Sequence, residues 1–222
     1  MIKLILGIDE AGRGCLIGSM IICGVLFDEN KQKYLEEIGV KDSKKLSPRR
    51  RTELCKLIVE NCVKYKVIDV SVKEIDDRLN KNITLNELEL EKFVEIINSL
   101  KPDEAFLDAV DVNEERFKTS CKKRVNYKGL KIVSKHKADD LFPIVSAASI
   151  VAKTIRDKKI SELKIKYGDL GSGYSSDVKT IEFVRKWIKE KKSIPPFIRK
   201  SWDTTKRLLE EELYNKKISE FL

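Results

Sequence analysis

The stretch Ile2-Lys3-Leu4-Ile5-Leu6-Gly7-Ile8 runs into Asp9-Glu10-Ala11-Gly12-Arg13-Gly14. An apolar run of this kind reads as a strand, and it delivers two adjacent carboxylates into a sequence ill-suited to continuing as one. A charged pair belongs in a core only where something cationic waits for it. Neighbours in a strand face opposite ways, so Asp9 and Glu10 reach one site only if the strand terminates or twists there, which Gly7 and Gly12 make feasible. Gly12 and Gly14 let the backbone approach another molecule closely, and Arg13 between them suits a phosphate. The six residues read as a metal site beside a phosphate backbone or, more blandly, as a surface strand end with two solvated acids.

The rest of the chain bounds the choice. Its 222 residues amount to one large domain, or one domain with an appendage, and 41% hydrophobic content is ample for a core. Forty-five Lys and Arg against 36 Asp and Glu leave a net charge of +9, which fits either a lysine-rich solvated surface or a polyanion partner. Cys15, Cys23, Cys55, Cys62 and Cys121 form no CxxC pair, and the single histidine, His136, has no cysteine near it in sequence. That excludes a zinc site and fits reduced thiols in a cytosol. The opening Met1-Ile2-Lys3-Leu4 does not start a signal peptide, and the longest nearly apolar segment, Leu16 to Phe27, is too short to span a bilayer. A soluble, cytoplasmic protein with no membrane association is expected.

Five short segments rich in Ile, Val, Leu or Phe predict strands: Leu4 to Asp9, Met20 to Phe27, Lys64 to Val72, Ala105 to Val110 and Leu130 to Lys135. A glycine-containing connection predicts an antiparallel pairing of the first two. Ser47-Pro48 predicts a helix start, with Leu54, Leu57, Ile58 and Cys62 on its apolar face. Leu85 to Leu100 repeats apolar residues at three- and four-residue steps, and a long helix from about Asp140 to Tyr167, entered through Pro143, invites a break. Beyond it, Gly168 to Asp177 reads as a loop, Val178 to Lys191 as an amphipathic helix, and a last charged helix begins near Lys200. The expected division is a core over 1–170 and a helical lobe over 171–222.

Position singles out other acids. Asp108 interrupts the apolar Ala105-Phe106-Leu107-Asp108-Ala109-Val110, and a lone acid inside a buried strand is costly unless paired or metal-bound. Asp111 reads as the start of a turn before Asn113. Asp139 and Asp140 follow Lys135-His136-Lys137 and precede a helix, where an N-cap role accounts for them as well as ligation does. Brought together, Asp9, Glu10, Asp108 and one of Asp139 or Asp140 would not all stay ionised without cations. Oxygen-only ligands select hard ions such as Mg²⁺ or Mn²⁺, and two such ions suit cleavage of a phosphodiester by water.

Asp9-Glu10-Ala11-Gly12-Arg13-Gly14, Asp42-Ser43-Lys44-Lys45-Leu46, Phe106-Leu107-Asp108-Ala109, His136-Lys137-Ala138-Asp139 and Ser146-Ala147-Ala148-Ser149-Ile150-Val151-Ala152-Lys153 with Arg156-Asp157 together resemble the ribonuclease HII family. The matches stand in the family's order over nearly the whole chain. Arg199-Lys200-Ser201-Trp202 with Thr204 and Lys206 resembles its archaeal and eukaryotic branch. The resemblance implies an α/β fold: a ribonuclease H-like core with a five-stranded mixed sheet flanked by helices, plus a C-terminal helical lobe. It implies endonucleolytic hydrolysis of the RNA strand of RNA–DNA hybrids, and cutting at ribonucleotides embedded in duplex DNA, leaving 5′-phosphate and 3′-hydroxyl ends.

By the same resemblance Asp9, Glu10, Asp108 and Asp139 are the catalytic metal ligands, for two divalent ions, Mg²⁺ or Mn²⁺. Gly12, Arg13 and Gly14 read the ribose 2′-hydroxyl, Tyr174 stacks on the sugar at the RNA-to-DNA junction, and Lys44, Lys45, Lys137, Ser146, Ser149, Lys153 and Arg156 complete the substrate contacts. Taken alone, Tyr174 is an ordinary loop aromatic and each lysine a solvated charge. Cys15, Ser19 and Ser175 stand where the family usually has proline, a departure that bears on affinity and not on reaction class.

The alternatives are another nuclease of the same fold, such as a dimeric junction resolvase, and a non-catalytic basic RNA-binding protein; Asp108 in its apolar strand speaks against the latter. A monomer is expected. The tail Lys217-Ile218-Ser219-Glu220-Phe221-Leu222 reads as a fraying helix end, with a short peptide docking on a replication clamp as the other reading.

Overall fold

The structure, a computed structural model, describes residues 2–40 and 46–219, with side chains through 212. The motif Asp42-Ser43-Lys44-Lys45 and the final Glu220-Phe221-Leu222 lie outside the described residues.

Each expected strand is present: β1 (Leu4–Ala11), β2 (Met20–Asp28), β3 (Lys64–Val70), β4 (Glu104–Asp108) and β5 (Lys131–Lys135), in the order β3-β2-β1-β4-β5. β1 and β2 are buried almost throughout, as their unbroken apolar runs require of central strands. β3 and β5 are the edges and carry lysines, which discourages pairing with another chain. β1 runs antiparallel to β2 from Leu4–Asp28 to Ala11–Ile21 and parallel to β4 from Ile5–Glu104 to Ile8–Leu107. β4 and β5 are parallel, so the sheet is mixed.

The helices are α1 (Gln32–Glu37), α2 (Pro48–Asn61), α3 (Val72–Asp77), α4 (Leu85–Leu100), α5 (Glu114–Arg124), α6 (Ala138–Leu141), α7 (Pro143–Tyr167), α8 (Val178–Lys191) and α9 (Asp203–Ser219). Their starts follow from local chemistry. Ser47 accepts the Arg50 amide N–H ahead of Pro48, and Thr84 accepts that of Glu87. The expected long helix breaks at Phe142, whose extended backbone is what a following proline enforces. Neither Asp139 nor Asp140 is an N-cap. Lys137 holds that position in a left-handed conformation, and both acids sit in the first turn of α6. Sequence pattern does not reveal α5, because seven of the eleven residues of Glu114–Arg124 are charged and only Phe117 and Cys121 are buried. Asn113 caps it, accepting the Arg116 amide at 2.9 Å.

The chain falls into two compact units. One comprises Met1–Ala11, Ile21–Asp69 and Thr84–Ile155; the other Gly12–Met20, Val70–Ile83 and Arg156–Leu222. In the first, α7 lies against one face of the sheet, where Ile5, Val25, Phe27, Ile144, Val145 and Ala148 share a core cluster. Gly7 allows the closest approach: a Cβ there would stand 2.8 Å from the Val145 amide nitrogen and nearer still to the Ile144 carbonyl. Over the other face, a Cβ at Gly24 would collide with the Ile96 side chain of α4.

The second unit has its own core of Leu16, Ile17, Ile160, Val184, Phe197 and Ile198, with neighbours. It begins inside α7 at Arg156 and draws in 12–20 and 70–83, a division different from the one expected at 170. The physical reason is long-range: Ile17 bridges Ile198, and the Asp76 carboxylate accepts the Lys200 and Ser201 amides at 2.9 and 3.0 Å. Among the described residues no helix is long and apolar enough to cross a membrane.

Candidate active site

The register explains how adjacent residues serve one site. Pairing of β1 with β4 stops at Ile8–Leu107, whereas pairing with β2 continues to Ala11–Ile21. β1 therefore neither ends nor loses its strand geometry at Asp9; it loses only one neighbour. On that open side β4 terminates at Asp108, and one oxygen from each of Asp9, Glu10 and Asp108 lies within 4.8 Å of the other two. Parallel strands thus present three carboxylates at the same end, where α/β sheets commonly place ligands.

Asp108 and Asp9 are each held. Asp108 accepts the Ala138 amide N–H at 2.8 Å, a bond that the left-handed Lys137 makes possible by turning the chain from β5 into α6. Asp9 is 4% exposed. Burial pushes its carboxyl well above the usual carboxylate range, and the charges of Glu10 and Asp108 push it the same way. A hydrogen bond from Ser149 and the charge of Lys153 pull it back. Lys153 Nζ in turn donates to Ser149 Oγ at 2.8 Å, so one turn of α7 aligns an ammonium, a hydroxyl and the Asp9 carboxylate. A hydrogen bond from Ser146 Oγ to the Asp139 carbonyl ties the next turn of α7 back to α6. Asp139 is buried, but the three-carboxylate group does not include it; Asp140 is exposed.

An all-oxygen donor set that is partly buried and mutually repulsive fits a hard divalent cation. Asp9, Glu10 and Asp108 are the residues that would hold it.

The second unit carries Gly12, Arg13 and Gly14. Gly12 has φ of +85°, a left-handed conformation that admits glycine without strain, and a Cβ there would meet the Ser19 carbonyl at 3.1 Å. Arg199 fixes this turn. Its fully buried guanidinium donates to the carbonyls of Gly12 at 2.6 Å, Arg13 at 2.7 Å and Gly18 at 3.0 Å. Tyr174 forms an antiparallel bridge with Cys15, and the Gly173 carbonyl accepts the amides of Leu16 and Ile17. Thr180 and Asp177 hold the loop from the far side: Thr180 Oγ1 accepts the Gly173 amide at 2.9 Å, and Asp177 accepts that of Ser172 at 2.6 Å.

Of the other expected contacts, Ser146 and Ser149 are buried, Lys153 is half-buried and Lys137 is exposed; Lys44 and Lys45 lie outside the described residues. Arg156 is buried, with its guanidinium directed at neighbours within the protein. Sequence reasoning assigned no role to Thr180, Asp177 or Asp76. Asp177 had a legible signal, as a capping residue before an amphipathic helix; Asp76 had none, since its partners lie 124 and 125 residues away.

The chain matches the family model described as Ribonuclease HII over residues 6–205. It is 46% identical to the Ribonuclease HII of Thermococcus kodakarensis over 218 residues, 97% of this chain and 94% of that one. The crystal structure of the ribonuclease H2 from Pyrococcus horikoshii OT3 superposes with a TM-score of 0.89 at 41% identity, covering 95% of this chain and 99% of that one. The RNase HII of Archaeoglobus fulgidus, solved in complex with PCNA, gives 0.84 at 43% identity over 92% and 96%. With these likenesses extending over almost the full length of each relative, the chain belongs to the ribonuclease HII family.

Proposed function

We propose that the chain is a divalent-metal-dependent endonuclease that hydrolyses the RNA strand of RNA–DNA hybrids and cuts at single ribonucleotides embedded in duplex DNA, leaving 5′-phosphate and 3′-hydroxyl ends. The observation that carries this reading is the trio Asp9, Glu10 and Asp108, with oxygens within 4.8 Å of one another at the open end of paired parallel strands, in a member of this family. Asp9, Glu10, Asp108 and Asp139 are the proposed ligands, Asp139 being a buried residue in the first turn of α6. These carboxylates would hold Mg²⁺ or Mn²⁺, as two ions, which would supply positive charge against the negative charge building on the scissile phosphate.

The protein's own groups do the rest. Ser149 and Lys153 set the orientation of the Asp9 carboxylate and moderate its repulsion with Glu10 and Asp108. Gly12 and Gly14 bring backbone close to the ribose 2′-hydroxyl, the group that separates RNA from DNA. Tyr174 stacks on the sugar at the junction. Arg13, Lys44, Lys45, Lys137 and Lys153 meet phosphates, and a net charge of +9 favours such a polyanion.

The test is Asp108→Asn on a duplex containing one ribonucleotide. Cleavage is expected to vanish while binding of the uncut duplex persists and weakens steeply as salt rises. Retained turnover in that variant would remove Asp108 from the site.

A further inference from the structure

Arg156 has a place in the fold that a phosphate contact does not explain. It is 6% exposed, and its fork reaches three partners in its own unit: Nη1 donates to Asp157 at 3.1 Å, and Nη2 to Cys15 Sγ at 3.0 Å and to the Ser172 carbonyl. The guanidinium carbon lies 4.7 Å from the centroid of the Tyr174 ring. Two glycines make room for it, since a Cβ at Gly12 would touch Arg156 Cγ at 3.4 Å and one at Gly173 would come within 2.9 Å of Nη2.

Cys15 completes the arrangement. It is fully buried, its backbone pairs with that of Tyr174, and its sulfur accepts Arg156 Nη2 at 3.0 Å. Tyr174 is thus gripped at its ring by a cation that Cys15 itself holds and at its backbone by a strand bridge, yet it remains 37% exposed. An exposed aromatic with this many restraints is ordered in advance of any contact. Burial also pushes its phenol up to about 12, so the hydroxyl keeps its proton throughout the neutral range.

Resting on the reading of Tyr174 as the residue that meets the junction sugar, we propose that Arg156 and Cys15 are positioning residues that preset the Tyr174 ring, and that this clamp sets how strongly the protein prefers a ribonucleotide followed by DNA over a uniform hybrid. The physical gain is preorganisation: a side chain fixed before binding loses less freedom on contact. The guanidinium under the ring adds a cation–π attraction that is larger when desolvated, as here. Neither residue touches the reacting phosphate in this scheme, so both act only through Tyr174.

The test is a double-substitution cycle with kcat/KM measured on two substrates, a duplex with one embedded ribonucleotide and an all-RNA/DNA hybrid. Cys15→Ala and Arg156→Lys each break the same sulfur–guanidinium tie, and each is expected to lower kcat/KM on the embedded ribonucleotide about three- to tenfold, the loss of one hydrogen bond. The hybrid should change less than about twofold. Because the two changes remove one interaction, the double variant should fall no further than the worse single. Cys15→Ser keeps a donor and acceptor and should recover most of the loss. Arg156→Lys retains the charge but loses the fork, and should reproduce the substrate-selective defect.

Additive effects of Cys15→Ala and Arg156→Lys, or equal losses on both substrates, overturn the clamp and leave a packing role. A Tyr174→Ala enzyme with unchanged selectivity, beside a wild type that cuts normally, overturns the role of Tyr174 and the clamp with it. Wild-type protein that leaves both substrates intact overturns the functional reading itself, a result distinct from the other two.

Discussion

Gly7→Ala is the substitution whose consequence follows most directly from the geometry. Gly7 sits two residues before Asp9 on the same face of β1, against the start of α7. An added methyl carbon would stand 2.8 Å from the Val145 amide nitrogen, with the Ile144 carbonyl nearer still, where ordinary contact begins at 3.4 Å. The neighbours are backbone and cannot turn aside, so β1 and α7 must separate by at least roughly 0.6 Å, the difference between those two distances. Overpacking of this kind costs about 1–3 kcal/mol, and each kcal/mol lowers Tm by roughly 2–4 °C in a chain of this size.

The same movement carries Asp9 away from Ser149 and Lys153, and displacements approaching 1 Å at a catalytic group reduce rate by about 10²-fold. Gly24→Ala is the control, because its methyl meets the Ile96 side chain, which can turn to another rotamer. Thermal unfolding and kcat on an embedded-ribonucleotide duplex are the assays. Gly7→Ala should lose both stability and activity, with a larger activity loss than Gly24→Ala at equal Tm. A Gly7→Ala protein with wild-type Tm and kcat would refute the claim that this contact positions the site.

The Asp9 carboxyl is raised by burial and by Glu10 and Asp108, so its ionisation disfavours the folded state: stability is fully present below the ordinary carboxylate pKa of about 4 and is lost as pH rises through the raised value. Metal-free Asp9→Asn should therefore melt higher than wild type at pH 8 but not at pH 4, and Mn²⁺ should raise the wild-type Tm more at pH 8 than at pH 5; a metal-free variant less stable than wild type at both pH values would contradict this. Arg199→Met leaves the carbonyls of Gly12, Arg13 and Gly18 without their guanidinium and should cost on the order of 3 kcal/mol in urea unfolding. A change within about 0.5 kcal/mol would place Arg199 among ordinary surface sites.

What could be read from sequence tracks how local its cause is. Helix α4 matches its expected bounds because apolar spacing and the Thr84 cap are local signals. The strands are legible for the same reason, although β4 ends at Asp108 where its apolar run predicts a strand through Val110. Asp9 and Glu10 were identified as a pair, but the expected reason, a strand that ends or twists, was incomplete. β1 keeps its β2 partner through Ala11 and loses only β4, a fact of register that no single segment encodes. Helix α5 was hidden by its charge. The tying of the Gly12 turn to Arg199, 187 residues on, and of Asp76 to Lys200 has no local signature at all. Arg156 stands in a recognisable motif, yet its burial against Cys15 and Tyr174 has no local signature.

The central claim is that this chain uses a carboxylate-held divalent ion to cut beside a 2′-hydroxyl. The most direct measurement compares cleavage of a DNA duplex carrying one ribonucleotide with cleavage of its all-DNA twin, in chelator and after addition of Mg²⁺ or Mn²⁺. The predicted result is a cut only in the ribonucleotide-containing strand, only with metal restored, yielding 5′-phosphate and 3′-hydroxyl ends. Equal cutting of both duplexes, undiminished cutting in chelator, or an intact substrate under every divalent ion would contradict it.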